Sequence, residues 1–154
     1  MAPYNAAMGT VAQTGAQPPA AGSARGVERA DRTVLVVDDD ANVRGLIETL
    51  LRQEGYQVQT AASAATAQVR IRTCAIDLVI MDFSLPDMDG FTFLGQLKSD
   101  PATRALPVLI VSAYSDREWQ ARSAALGAAG FLSKPFHVHD LVAAVERILA
   151  MGVA

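Results

Sequence analysis

The carboxyl ends of its apolar runs constrain this chain more than any other feature. Val34-Leu35-Val36-Val37 leads into Asp38-Asp39, and Leu78-Val79-Ile80-Met81 leads into Asp82. Val108-Leu109-Ile110-Val111 leads into Ser112, and Phe131-Leu132-Ser133 into Lys134-Pro135, with a weaker run over 56–60. Near-continuous Val, Leu and Ile runs are the pattern of parallel strands covered on both faces. In an open parallel α/β sheet, ligands bind outside the carboxyl ends of the strands. One sheet edge therefore collects three carboxylates, a hydroxyl and a lysine, which is the outline of a metal-dependent phosphate site.

Helical periodicity fills the segments between these runs. Asp40 is placed to cap a helix carrying Val43, Leu46, Ile47, Leu50 and Leu51 on one face, with Gly55 as its stop. A helix over 63–73 is expected to bury Ala64, Ala67 and Ile71. The loop 83–90, with Pro86 and Gly90, opens a helix carrying Phe91, Leu94 and Leu97 before Pro101. A fourth helix over 115–126 would turn Ala121, Ala124 and Ala125 inward, leaving Trp119 on the opposite side or flank as a candidate anchor for a partner surface. The last, over 137–150, aligns Leu141, Val142, Val145, Ile148 and Leu149. Five such strand–helix units predict one three-layer α/β sandwich.

The 154 residues suffice for one domain with a real core. Met1 to Ala24 contains no charged residue and no Leu, Ile or Phe, so residues 1–30 read as a disordered Ala/Gly/Pro/Gln-rich tail and 31–154 as the folded domain. Net charge is −3, and Arg25, Arg29 and Arg32 alternate with Glu28 and Asp31. No basic stripe emerges, so no nucleic-acid partner is expected. No apolar stretch reaches the ~20 residues that cross a bilayer, and the N-terminus lacks the basic and apolar regions of a secretory signal. The single cysteine, Cys74, cannot form an internal disulfide. A cytoplasmic protein with no membrane partner is the expectation.

The acids carry their own physical problem. Two carboxylates about 5 Å apart repel by ~3 kcal/mol at an effective dielectric near 20. Asp38, Asp39 and Asp82 at one edge thus call for a cation or for raised pKa values. Hard oxygen ligands that leave room for water and phosphate oxygens suit Mg²⁺.

The blocks VLVVDDDANVR, DLVIMDFSLPDMDG, LIVSA and FLSKPF, in this order and spacing, resemble the signature of response-regulator receiver domains of two-component signalling. The resemblance covers about residues 32–150. It implies a flavodoxin-like (βα)5 sandwich with a parallel sheet in the order 2-1-3-4-5. It also implies Asp82 as phosphoacceptor. Mg²⁺ would be held by Asp39, by Asp38 directly or through water, by Asp82, and by the backbone carbonyl of Ser84. Lys134 would pair with a phosphoryl oxygen, Ser112 would be the switch hydroxyl, and Phe131 the aromatic coupled to it.

The partners implied are a histidine kinase or histidine phosphotransfer protein upstream and an unknown protein downstream. Dimerisation on phosphorylation stays open. Ser112 stands where threonine is more common, and Leu85 where methionine is frequent. The resemblance implies that Ser84 and Tyr114 occupy variable positions flanking the path of water to an acyl phosphate. Only four residues follow Ala150, so the reading expects a stand-alone regulator whose surface around the fourth helix, fifth strand and fifth helix is read by a partner. It expects no enzyme activity beyond the chemistry of its own phosphorylation and dephosphorylation.

Two other classes compete. A phosphate-independent pseudo-receiver would be expected to lose part of the acid cluster or the lysine, and all are present. An aspartyl-nucleophile phosphohydrolase of the haloacid-dehalogenase type would carry a second aspartate two residues after the first, where Ser84 stands, and a cap insertion that the sequence lacks.

Overall fold

The computed structural model describes residues 29–114 and 116–151. After a 3-10 turn at Arg29–Asp31, β1 (Thr33–Val37), β2 (Gln57–Ala61), β3 (Leu78–Asp82), β4 (Val108–Ser112) and β5 (Gly130–Ser133) form one sheet in the order β2-β1-β3-β4-β5. Every strand pairing is parallel. The helices α1 (Ala41–Gln53), α2 (Ala64–Thr73), α3 (Gly90–Ser99), α4 (Arg117–Ala125) and α5 (Val138–Met151) connect and follow them.

Alternation along the strands sorts the core into two halves. Val34 and Val36 of β1 pack with Leu78, Ile80, Leu109 and Val111 under α1 and α5. Leu35 and Val37 pack with Val79, Met81, Val108 and Ile110 under α2 and α3. Successive strand side chains point to opposite faces, so a continuous apolar run supplies both cores at once. Each fully buried aliphatic side chain contributes about 1.5–3 kcal/mol, which makes β1, β3 and β4 the rigid centre. Their carboxyl ends, where the polar residues stand, are anchored by that buried core.

Local signals set the helix limits as expected. The Asp40 carboxylate accepts from the Asn42 and Val43 N–H groups, and the chain leaves α1 through Gly55 at φ 99°, a conformation that suits glycine.

Three expectations need correction. Leu46 is half-exposed at 51% rather than part of the α1 core stripe; only Ile47 and Leu51, one turn apart, are fully buried there. On α4, Ala121, Ala124 and Ala125 face solvent and Ser123 is buried. The inward side also carries Trp119, half-buried against Phe83 and Phe91. The reason is size. Three exposed methyl groups cost little, whereas an indole left in water forfeits much of the 150–250 Å² an aromatic can bury.

The third correction concerns the tail. Residues 1–28 lie outside the described residues, but Arg29 and Ala30 belong to the fold. Arg29 donates to the Glu54 carbonyl at 3.0 Å and carboxylate at 2.9 Å. It also pairs with Glu146 of α5, and its guanidinium lies 5.2 Å from the Tyr56 ring centre. Deletion of residues 1–28 should leave the melting temperature unchanged. Deletion through Ala30 should cost up to about 1 kcal/mol, the upper range for a solvent-screened ion pair. Equal melting temperatures for the two truncations would show that Arg29 contributes nothing.

Candidate functional site

Three consecutive acids after β1 take three different roles because the strand ends among them. The Asp38 N–H donates to the Ala61 carbonyl at 3.1 Å, extending the β1–β2 ladder by one residue. That bond holds Asp38 at 2% exposure. Asp39, past the ladder, is exposed. Asp40 turns its carboxylate to cap α1 and donates its own N–H to Asp38 Oδ1 at 2.9 Å. Arg44, one turn into α1, donates to the Asp38 carbonyl at 2.8 Å.

Asp82 is the last residue of β3, paired in register with Val111 and 9% exposed. Because β1 and β3 are neighbours, one carboxylate oxygen from each of Asp38, Asp39 and Asp82 lies within 4.8 Å of the others. From the other side, the Lys134 N–H donates to the Ser112 carbonyl at 2.8 Å, continuing the β4–β5 ladder. The Lys134 ammonium then lies 3.0 Å from Asp38 Oδ2 and 3.3 Å from Asp82 Oδ1. The Lys134–Pro135 peptide is cis.

Charge is unbalanced here. Among the described residues, three carboxylates face one ammonium. Burial, then the neighbouring Asp38 charge, push the Asp82 carboxyl above its ordinary range, with Asp39 adding to them and Lys134 only partly opposing. Burial alone would lower the Lys134 pKa, but its bond to Asp38 and the charges of Asp82 and Asp38 raise it. A pocket that keeps excess negative charge on hard oxygen donors fits a divalent cation, and Mg²⁺ best where phosphate oxygens and water complete the shell. Asp38, Asp39 and Asp82 are the side chains that fit this role.

Ser84 lies two residues beyond Asp82 on the exposed loop, which is closed by a bridge between Ser84 and Asp89 and by the Gly90 N–H on the Phe83 carbonyl at 2.7 Å. A Cβ on Gly90 would stand 2.9 Å from the Phe83 Cα, so only glycine lets the loop close this tightly. Ser112 is buried, and its Oγ accepts the Tyr114 N–H at 3.0 Å. Phe131 is half-buried, packed against the core half that contains Val79, Met81 and Ile110.

Sequence reasoning missed an aromatic cluster beside the site. The Trp119 ring stacks on Tyr114 at 4.8 Å and 13°, meets Phe83 edge-on at 4.4 Å, and lies 5.1 Å from Phe91. Phe83 follows Asp82 directly and Tyr114 stands two residues after Ser112. The cluster therefore joins the loop behind one candidate reactive residue to the loop behind another. The available signal was the short spacing of Phe83 and Tyr114 from a strand-end polar residue.

The family model described as the response regulator receiver domain matches residues 34–146. The response regulator PleD of Caulobacter vibrioides is 40% identical over 116 residues, 75% of this chain and 25% of that protein. The probable chemotaxis protein CheY of Rhizobium etli is 37% identical over 116 residues, 75% of this chain and 90% of that protein. Among solved structures, the chemotaxis response regulator CheY4 of Vibrio cholerae superposes with a TM-score of 0.72 at 30% identity, covering 76% of this chain and 98% of that one. The chain spans about half the length or less of several curated relatives it matches.

Proposed function

Because this chain belongs to the response-regulator receiver family, we propose that it is a Mg²⁺-dependent phosphoacceptor switch with Asp82 as the acceptor. The single observation that carries the reading is the convergence of Asp38, Asp39 and Asp82 with the Lys134 ammonium bonded between two of them. A carboxylate oxygen of Asp82 attacks phosphorus of a phosphohistidine on a histidine kinase or phosphotransfer protein. The new P–O bond forms as the P–N bond breaks, and the imidazole nitrogen keeps the electron pair. When bound, Mg²⁺ supplies neutralisation of the acids and of the phosphoryl oxygens that meet them.

Lys134 supports the reaction because its ammonium already sits beside the attacking group. As charge spreads over the phosphoryl oxygens, Lys134 exchanges an aspartate oxygen for one of them with little reorganisation. Asp38, held by its N–H bond to Ala61 and by Asp40, keeps the acid pair in place through that exchange. Ser112 retains a hydroxyl proton to donate to a phosphoryl oxygen, since its oxygen is the acceptor in the Tyr114 bond. A new acceptor group of this charge pulls the Ser112 loop toward Asp82. The surface around α4, β5 and α5 lies downstream of that loop and is the proposed readout.

The same geometry makes Trp119 a reporter. Tyr114 is bonded to Ser112 through its backbone and stacked on Trp119 through its ring, so a shift of the loop changes the indole surroundings. Beryllofluoride, standing in for the phosphoryl group, should alter the emission of the full chain in a Mg²⁺-dependent manner, and Ser112→Ala should blunt the change. Emission indifferent to beryllofluoride while Asp82 is demonstrably loaded would show that the loop does not move.

A further inference from the structure

On the reading above, the loop between β3 and α3 presents the Ser84 backbone to the site; Leu85 and Met88 pack it on the core half that contains Leu35, Val37, Ala61 and Ala64, while Ser84, Pro86, Asp87 and Asp89 are exposed. Its polar tie to a distant element is Asp87. The Asp87 carboxylate reaches across to the first turn of α2 and accepts the Ala64 N–H on one oxygen at 3.0 Å and the Ala65 N–H on the other at 2.9 Å. Those amides are otherwise open helix-end donors, because the local cap Ser63 accepts from Thr66 instead. The two residues joined to Asp87 are 23 and 22 positions away in the chain.

The same β2–α2 junction holds the other half of the acid cluster. The Ala61 carbonyl, three residues before Ala64, receives the Asp38 N–H. Asp38 and the loop carrying Ser84 are thus both referenced to one short segment, Ala61–Ala65. One is fixed by a backbone bond and the other by the Asp87 carboxylate. Nearer the site, the loop closes on itself through the Ser84–Asp89 bridge and the Gly90–Phe83 bond, which set its shape but not its distance from β1.

The geometry points to Asp87 as a positioning residue for the divalent-cation site: by clamping the β3–α3 loop onto the start of α2, it adds a directional polar tie to the apolar anchors Leu85 and Met88 and so fixes the separation between the Ser84 backbone and the Asp38/Asp39 pair. This rests on the phosphoacceptor reading above and extends it to a residue that touches neither metal nor phosphate. Outer groups that orient metal ligands change affinity by roughly 10–100-fold when removed. Asp87 acts through a loop, so the lower end of that range applies.

The test is Mg²⁺ binding to the full-length chain, read by calorimetry and by Trp119 emission, for the parent protein, Asp87→Ala and Asp87→Asn. Asp87→Ala should weaken Mg²⁺ binding by roughly tenfold and speed hydrogen exchange at the Ala64 and Ala65 amides. Labelling by acetyl phosphate at saturating Mg²⁺ should return to the parental rate. Asp87→Asn keeps an acceptor for one of the two amides and turns an NH2 donor toward the other, so its affinity should fall between those of the parent and Asp87→Ala.

An Mg²⁺ midpoint unchanged in Asp87→Ala, despite faster exchange at Ala64 and Ala65, would overturn the proposal and leave Asp87 a helix cap. Equal losses in Asp87→Ala and Asp87→Asn would overturn it in favour of a long-range charge effect. Failure of the parent chain to bind Mg²⁺ would instead strike the phosphoacceptor reading itself, while the exchange measurement would still report on the clamp.

Discussion

Asp82→Asn should take up no phosphoryl group from acetyl phosphate or phosphoramidate with Mg²⁺, whereas the parent chain should take up one that is stable to acid and labile to base and hydroxylamine. The substitution keeps the shape of the side chain and removes the nucleophilic oxyanion. It also removes a buried charge that Asp38 and Asp39 repel. The variant should therefore be more stable at neutral pH, by on the order of 1 kcal/mol once Lys134 is allowed for, a few degrees in melting temperature.

The sign with pH follows from the raised Asp82 pKa. In the parent, the unfavourable ionised form is populated in the fold only above that raised value. The advantage of the variant should thus be complete at neutral pH, shrink as pH falls through the raised pKa, and vanish below about pH 4, where the unfolded chain is protonated as well. Full labelling of Asp82→Asn would remove Asp82 as the acceptor. A stability difference constant from neutral to acid pH would show that the gain has another source than charge.

Asp39→Ala should abolish the response to Mg²⁺ in both labelling and fluorescence, yet melt at the same temperature as the parent or higher. Among the described residues, Asp39 is exposed and takes part in no hydrogen bond or ion pair, while Asp38 is tied to Asp40, Lys134 and Ala61. The two acids are neighbours in sequence but differ in consequence. Among the described residues, Asp38→Ala would leave Lys134 paired with Asp82 alone and should destabilise, because the lysine loses its shorter ion pair in a buried setting. Asp39→Ala relieves repulsion at no structural cost. Retained Mg²⁺ affinity in Asp39→Ala, measured by calorimetry, would move the metal contact to Asp38 and Asp82.

How much of this was legible in the sequence depends on the range of the contact involved. The strand runs, the Asp40 cap, the stop at Gly55 and the delivery of Asp38, Asp82, Ser112 and Lys134 to one sheet edge were determined by the sequence, because each follows from periodicity or from a residue acting on its own backbone within four positions. The side chains that only the tertiary structure decided are those whose partners lie far along the chain. Trp119 turns inward because Phe83 and Phe91 wait across a helix–loop boundary, and no count of alanines on α4 reveals that. Arg29 joins the fold through Glu54 and Glu146, 25 and 117 residues away. Asp87, one more exposed acid in the sequence, becomes a clamp only when β3 and the start of α2 are brought side by side. Local chemistry repeats with the backbone and can be read one residue at a time, whereas a clamp or an aromatic stack exists only once packing has chosen which surfaces meet.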